Sequence, residues 1–137
     1  MTLLEQIERD EGGRQRKLYY VDGVPHIGVG HNLRDRAISD AAVSVMFEAD
    51  VQETVADVRR LLPWAEALGE VRFAALVNMA FQMGVHGVLG FRRALAAMQA
   101  GDWRLAQTHL LDSRWAREQT PDRAHRVAEQ IATGTWI

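Results

Sequence analysis

Residues 10–31, D-E-G-G-R-Q-R-K-L-Y-Y-V-D-G-V-P-H-I-G-V-G-H, force the chain to change geometry within a short span. Before them, Thr2 and Glu5 have the spacing of a capping box, and Leu3, Leu4 and Ile7 recur at helical intervals. A helix over residues 2–11 follows, and Gly12-Gly13 ends it, because glycine accepts a positive φ without a Cβ clash. Glu11 therefore stands in the last turn. Beyond the glycines, Leu18, Tyr19, Tyr20 and Val21 have strand composition, and Asp22-Gly23 is a strong two-residue hairpin signal. Ile27 and Val29 continue the alternation, while Gly28 and Gly30 suggest a bulge or a close backbone approach.

From Ser39 onward the sequence reads as helix. Ser39-Asp40 caps a segment running to about Leu62, with Ala42, Val45, Met46, Ala49, Val51, Val55 and Val58 on its inner face, and Pro63 ends it. Residues 70–83 are apolar almost all round, as expected of the central helix of a bundle, and Gly84 and Gly87 break them. Shorter helices follow at 91–99, at 103–111 behind the cap Asp102, and at 121–132 behind Thr120 with Pro121 in the first turn. The fold class expected is α+β, mainly α, in one domain. Its parts are a small β-hairpin lobe over about 12–38, a bridging helix over about 39–62, and a helical lobe over about 60–137 that includes helix 2–11.

Composition removes several function classes. The chain has no cysteine, hence no disulfide, thiol catalysis or Cys-based zinc site, and a net charge of −2 gives no basic field for nucleic acid. Charges at Glu5, Glu8, Arg9 and Asp10 are incompatible with the apolar core of a signal peptide, and no apolar run approaches the ~18 residues of a membrane span. Among the 18 acidic residues, most of them solvated surface groups, two are candidates for chemistry. Glu11 and Asp22 lie on different elements either side of a Gly-Gly turn. Cleaving a glycosidic bond needs a protonated acid at the leaving oxygen and a second group across the sugar, and this arrangement can supply both.

The order of motifs is specific. Tyr20-Val21-Asp22-Gly23 and Ile27-Gly28-Val29-Gly30-His31 follow Glu11; Asn78-Met79-Ala80-Phe81-Gln82-Met83-Gly84, the segment Ser113 to Ala124 (S-R-W-A-R-E-Q-T-P-D-R-A) and Thr133-Gly134-Thr135-Trp136 come after. Together they resemble the phage-type lysozymes of the T-even kind, glycoside hydrolase family 24, along the chain from residue 1 to about 136. The resemblance implies a lysozyme-like fold, with Glu11 as general acid held partly shielded from water and Asp22 as second carboxylate. In an alternative register Tyr19 is the motif tyrosine and no Asp stands in that place. Gln82 and Trp115 match groups that line or close the cleft, Arg123 matches an arginine near the acid, and His31 matches a histidine paired with an acidic residue of the bridging helix, here Asp50.

His26 is the departure, since the family has threonine there, beside the position of the attacking water. An imidazole at 26 can displace that water, act as a base or attack as a nucleophile, or simply pack against the hairpin. His26 and His31, five residues apart, fall on opposite faces of a regular strand, so a structural role is favoured over a shared metal. The implied function is hydrolysis of the β-1,4 bond between N-acetylmuramic acid and N-acetylglucosamine in peptidoglycan, with no metal or organic cofactor, by a monomer that neither binds nucleic acid nor inserts stably in membranes. As an endolysin it would be made in the host cytoplasm without a signal peptide and reach periplasmic peptidoglycan through a holin or another exit route. The alternatives are a degenerate fold that binds peptidoglycan or a protein partner, and a retaining or transglycosylating variant acting through His26.

Overall fold

The computed structural model describes all residues, 1–137. The fold is α+β: a small antiparallel sheet near the N-terminus and a set of helices after it. The chain divides into two compact units, Met1–Met46 and Phe47–Ile137, with the division inside one long helix.

The first unit opens with helix α1, Leu3–Asp10. Its N-terminus is closed by the full capping box: Glu5 N–H donates to the Thr2 hydroxyl at 3.3 Å, and Thr2 N–H donates to the Glu5 carboxylate at 2.6 Å. Two donors that the first helical turn leaves free are thereby satisfied. Glu11 is the C-cap, and Gly12 and Gly13, at φ 86° and 90°, turn the chain into strand β1, Gln15–Val21. Asp22 (φ 50°) and Gly23 (φ 77°) then form a two-residue reversal closed by the Val21–Val24 pair. Positive φ at both positions is what a type I′ turn requires, and it matches the twist of the strands it joins. Strand β2, Val24–Gly28, is the middle strand, and β3, His31–Asn32, pairs with it through Ile27–His31 and His26–Asn32.

The hairpin lobe is therefore three-stranded. Val29 does not continue a strand: the chain reverses over Gly28–Gly30, with Gly28 at φ 69° and Gly30 at φ 62°. Val24 is the one buried apolar side chain of this unit, and Tyr19 alone in β1 is half-buried.

Helix α2, Asp40–Leu61, starts at Ser39, whose hydroxyl accepts from Ala42 N–H at 3.2 Å. The inner face read from its periodicity is only partly realised. Val45 is 70% and Met46 50% exposed, and Val58 alone is buried. Apolar spacing shows that a face is available for packing. At ~1.5 Å per residue a helix this long outruns the core that covers its C-terminal end.

The second unit carries the core. After a 3₁₀ turn at Ala65–Leu68 comes α3, Glu70–Leu89, whose helical path is interrupted at Gly84 (φ 77°, ψ 154°). Its buried residues Ala75, Leu76, Met79 and Ala80 face α6, Pro121–Thr133, through Ala124, Val127, Ala128 and Ile131. Helices α4, Arg92–Gln99, and α5, Trp103–Leu111, complete the cluster with Met98 and Leu110, both fully buried. Each such Leu, Met or Ile contributes ~1.5–3 kcal/mol of transfer free energy. Residues 115–119 form a π-helical turn in which Thr120 N–H donates to the Trp115 carbonyl, five residues back, at 3.0 Å.

Candidate active site

In the first unit the site is built from two reversals. α1 delivers Glu11 at its end, with Glu11 N–H donating to the Ile7 carbonyl at 2.8 Å. The side chain leaves the helix and lies against Gly30. A β-carbon built on Gly30 would stand 2.5 Å from Glu11 Oε2 and 2.8 Å from its carboxyl carbon. Gly30 thus has two reasons to be glycine, its left-handed backbone and the carboxylate beside it. The close approach suggested by the Gly28–Gly30 spacing is made by the acid itself. Glu11 is solvent-exposed, in place of the partly shielded carboxyl expected from the sequence; a C-cap side chain projects past its helix, where water reaches it.

Two residues before Gly28, in the same strand, is His26. It is half-buried, its Nδ1 lies 2.8 Å from the Val24 carbonyl oxygen, and its ring centroid is 5.5 Å from that of Tyr19, its direct partner across β1 and β2. Asp22 occupies the exposed tip of the hairpin, where its conformation is accounted for by the turn. His31 pairs with Ile27, so its side chain lies on the face opposite to His26. Its Nε2 donates to the Arg36 carbonyl at 3.0 Å. The loop between them is ordered by Asn32, whose side-chain oxygen accepts from Arg34 N–H and Asp35 N–H at 3.0 and 3.1 Å.

In the second unit Gln82, Trp115 and Thr120 are joined in one network. Trp115 Nε1–H donates to Gln82 Oε1 and Gln82 Nε2–H donates to Thr120 Oγ1, both at 3.0 Å. The π-helical turn brings Trp115 and Thr120 to the same amide, and the break at Gly84 frees the end of α3 that presents it. π-turns of this kind concentrate at functional sites. Trp115 is buried, meets Phe91 edge-to-face at 5.7 Å, and borders a cavity of about 460 Å³ together with Met83, Phe91, Ser113, Arg114 and Gln119.

Arg123 is held on α3: its Nε donates to Asn78 Oδ1 at 2.9 Å and its Nη2 to the Asn78 carbonyl at 3.0 Å. It borders an apolar cavity of about 370 Å³ with Phe47, Val51, Val77 and Phe81. Asp50 is exposed on α2, its carbonyl accepting from the Thr54 hydroxyl at 2.8 Å. Sequence reasoning missed Tyr19, Asn78 and Thr120 as partners of His26, Arg123 and Gln82. Thr120 carried a signal, standing before Pro121 as a helix cap, yet its hydroxyl serves Gln82 and makes no capping bond to α6.

The sequence has relatives among known proteins. The family described as phage lysozyme matches residues 8–128. The chain is 34% identical, over 98% of its length, to the pre-baseplate central spike protein Gp5 of Enterobacteria phage T4, of which it spans 28%. It is 26% identical to "Probable T4-type lysozyme 1" of Dictyostelium discoideum, over 98% of this chain and 95% of that protein. A second protein of that organism, "Probable T4-type lysozyme 2", has the same identity and coverage.

Proposed function

Because the chain belongs to the phage lysozyme family, whose members are glycoside hydrolases of lysozyme type, we propose that it cleaves the β-1,4 bond between N-acetylmuramic acid and N-acetylglucosamine in peptidoglycan. One observation carries the reading: the Glu11 carboxylate rests on Gly30, in the same reversal that follows His26.

Glu11 is the general acid. It gives its proton to the glycosidic oxygen as the bond to the anomeric carbon breaks. On the other side of the sugar, a water oxygen bonds to the anomeric carbon and its proton passes to His26 Nε2. The half-buried, anchored imidazole supports this role better than Asp22, whose position at the hairpin tip serves the turn. Gln82, Trp115, Arg123, His31 and Asp50 act in support, the first two through the hydrogen bond that fixes Trp115 at the edge of its cavity. This chemistry draws on carboxyl, imidazole and water alone.

The substrate in the cell is the wall of a bacterium, and the context is phage-driven lysis or wall penetration. A free lytic enzyme made in the host cytoplasm reaches the wall through a holin or another exit route. A domain of a spike-like particle is delivered to it. The test is the clearing of chloroform-treated Gram-negative cells by wild type and by Glu11→Gln. Clearing by wild type that is lost in the variant supports the reading. Asp22 at the turn tip favours a second reading, a peptidoglycan-binding module without hydrolysis, and an inactive wild type that still sediments with the wall selects it.

A further inference from the structure

The His26 ring is held from two sides. Its Nδ1 lies 2.8 Å from the carbonyl oxygen of Val24, two residues back in the same strand. A carbonyl oxygen can only accept, so Nδ1 carries the hydrogen of that bond. In the neutral ring the other nitrogen, Nε2, is then the one with a free lone pair. On the neighbouring strand Tyr19 is the direct partner of His26, its ring tilted 35° to the imidazole at 5.5 Å, within the range of aromatic contact. Tyr19 is also the only residue of β1 whose side chain is half-buried, and Val24 is the only buried apolar residue of this unit. The half-buried ring of Tyr19 and the backbone carbonyl of the buried Val24 therefore meet at one imidazole.

From this geometry we infer that Tyr19 is a positioning residue and that, with the Val24 carbonyl, it holds His26 in the Nδ1–H tautomer, leaving Nε2 as the proton acceptor. The inference rests on His26 being the base of the proposed reaction. A ring turned over about its Cβ–Cγ bond would set a carbon against the Val24 oxygen and lose the bond. Tyr19 walls off that movement. The proton taken from the attacking water then has one destination, Nε2, and is released to solvent after the sugar leaves. The hydroxyl of Tyr19 has no part in this, so Tyr19→Phe preserves the effect and removal of the ring abolishes it.

The tautomer is read directly, without substrate, by long-range ¹⁵N–¹H correlation of the histidine rings at a pH where the imidazole is neutral. Wild type and Tyr19→Phe are expected to show a protonated-type Nδ1 shift and a lone-pair-type Nε2 shift for His26. Tyr19→Ala is expected to show averaged shifts. In that variant kcat on peptidoglycan falls roughly tenfold with little change in KM, short of the ~10²–10⁴-fold typical of losing a general base. Tyr19→Leu gives the same reading should the alanine variant not fold. A wild-type His26 protonated on Nε2, or an even mixture, overturns the tautomer assignment. Unaltered shifts and kcat in Tyr19→Ala or Tyr19→Leu overturn the role of Tyr19. Undiminished kcat in His26→Ala overturns the base reading, while the wild-type shifts test the tautomer independently of it.

Discussion

The carboxylate of Glu11 packs on the backbone of Gly30, leaving no room for a β-carbon at residue 30. This contact links the end of α1 to the reversal between β2 and β3, two elements that are distant in local geometry and close in sequence. It limits where the Glu11 side chain can stand, and it does so through an absence: glycine supplies both the left-handed φ of 62° and the empty space.

Gly30→Ala is therefore expected to injure activity more than folding. The colliding atoms are the far end of a flexible side chain, so Glu11 swings away and the fold survives, at a strain of roughly 1–2 kcal/mol for the left-handed backbone. A displacement of the acid on the order of 1 Å can cost about 10²-fold in rate. Thermal unfolding and wall-hydrolysis rates measured on the same preparation check this. A fall in melting temperature with an unchanged rate would contradict it.

Gln82→Leu is expected to destabilise the second unit by ~1–3 kcal/mol, because the buried Trp115 Nε1–H loses its acceptor. Trp115→Phe removes the donor instead and leaves the half-buried Gln82 amide within reach of water, so its hydrogen-bond cost is smaller. A double-mutant cycle of the two variants, read by chemical denaturation, separates the pair from the packing lost with the indole, and the absence of a coupling energy would refute the network as drawn.

Arg72 binds the end of α6. Its Nε donates to the Ile131 carbonyl at 2.7 Å, its Nη2 to that of Ala132 at 3.3 Å, and its guanidinium lies 3.9 Å from the centre of the Trp103 ring. Lysine can reproduce neither the fork nor the stacking. Arg72→Lys is expected to cost about 1.5–3 kcal/mol, the scale of hydrogen bonds to a charged group. Gly134→Ala acts on the same point from the other side, since its β-carbon would meet Arg72 Cζ at 2.9 Å. Equilibrium unfolding of both variants and of their combination should show less than additive losses.

Acid is expected to loosen α1. Hydrogen bonding from the Thr2 backbone N–H, and next from its hydroxyl, holds the Glu5 carboxyl below its usual value. A carboxyl depressed in the folded state contributes stability that is present above its ordinary value and is lost as pH falls through the folded one. The protection of the amides of residues 5–7, measured relative to their intrinsic exchange rates, should therefore fall at acid pH in wild type, and Glu5→Gln should flatten that dependence. Identical profiles would count against the capping box as the cause.

Much of this was legible in the residues, for reasons that are local. The Thr2–Glu5 spacing specified the cap of α1, Asp22-Gly23 specified the turn, and Gly84 marked the break in α3, because each depends on bonds within a few residues. The Gly28–Gly30 spacing announced a close approach but not its partner. The exposed face of α2 at Val45 and Met46 was not legible, since periodicity records a surface and not what covers it. Tyr19 as the partner of His26 follows from the two-residue turn, which sets Val21–Val24, Tyr20–Pro25 and Tyr19–His26 in order; the irregularity of β1 between Gln15 and Tyr19 shifts only the pairing beyond it, to Gln15–Gly28, and leaves no mark in composition. The π-turn at 115–119 uses residues that an α-turn would accept equally well. The three-stranded lobe was underestimated because a strand as short as His31–Asn32 carries no period.

The central claim is that Glu11 protonates the leaving oxygen of a muramyl bond. Purified peptidoglycan treated with wild type and with Glu11→Gln, followed by mass spectrometry of the released muropeptides, tests it most directly. Wild type is expected to release fragments ending in reducing N-acetylmuramic acid, and Glu11→Gln none. Equal release by the variant, or no release from wild type, would contradict it.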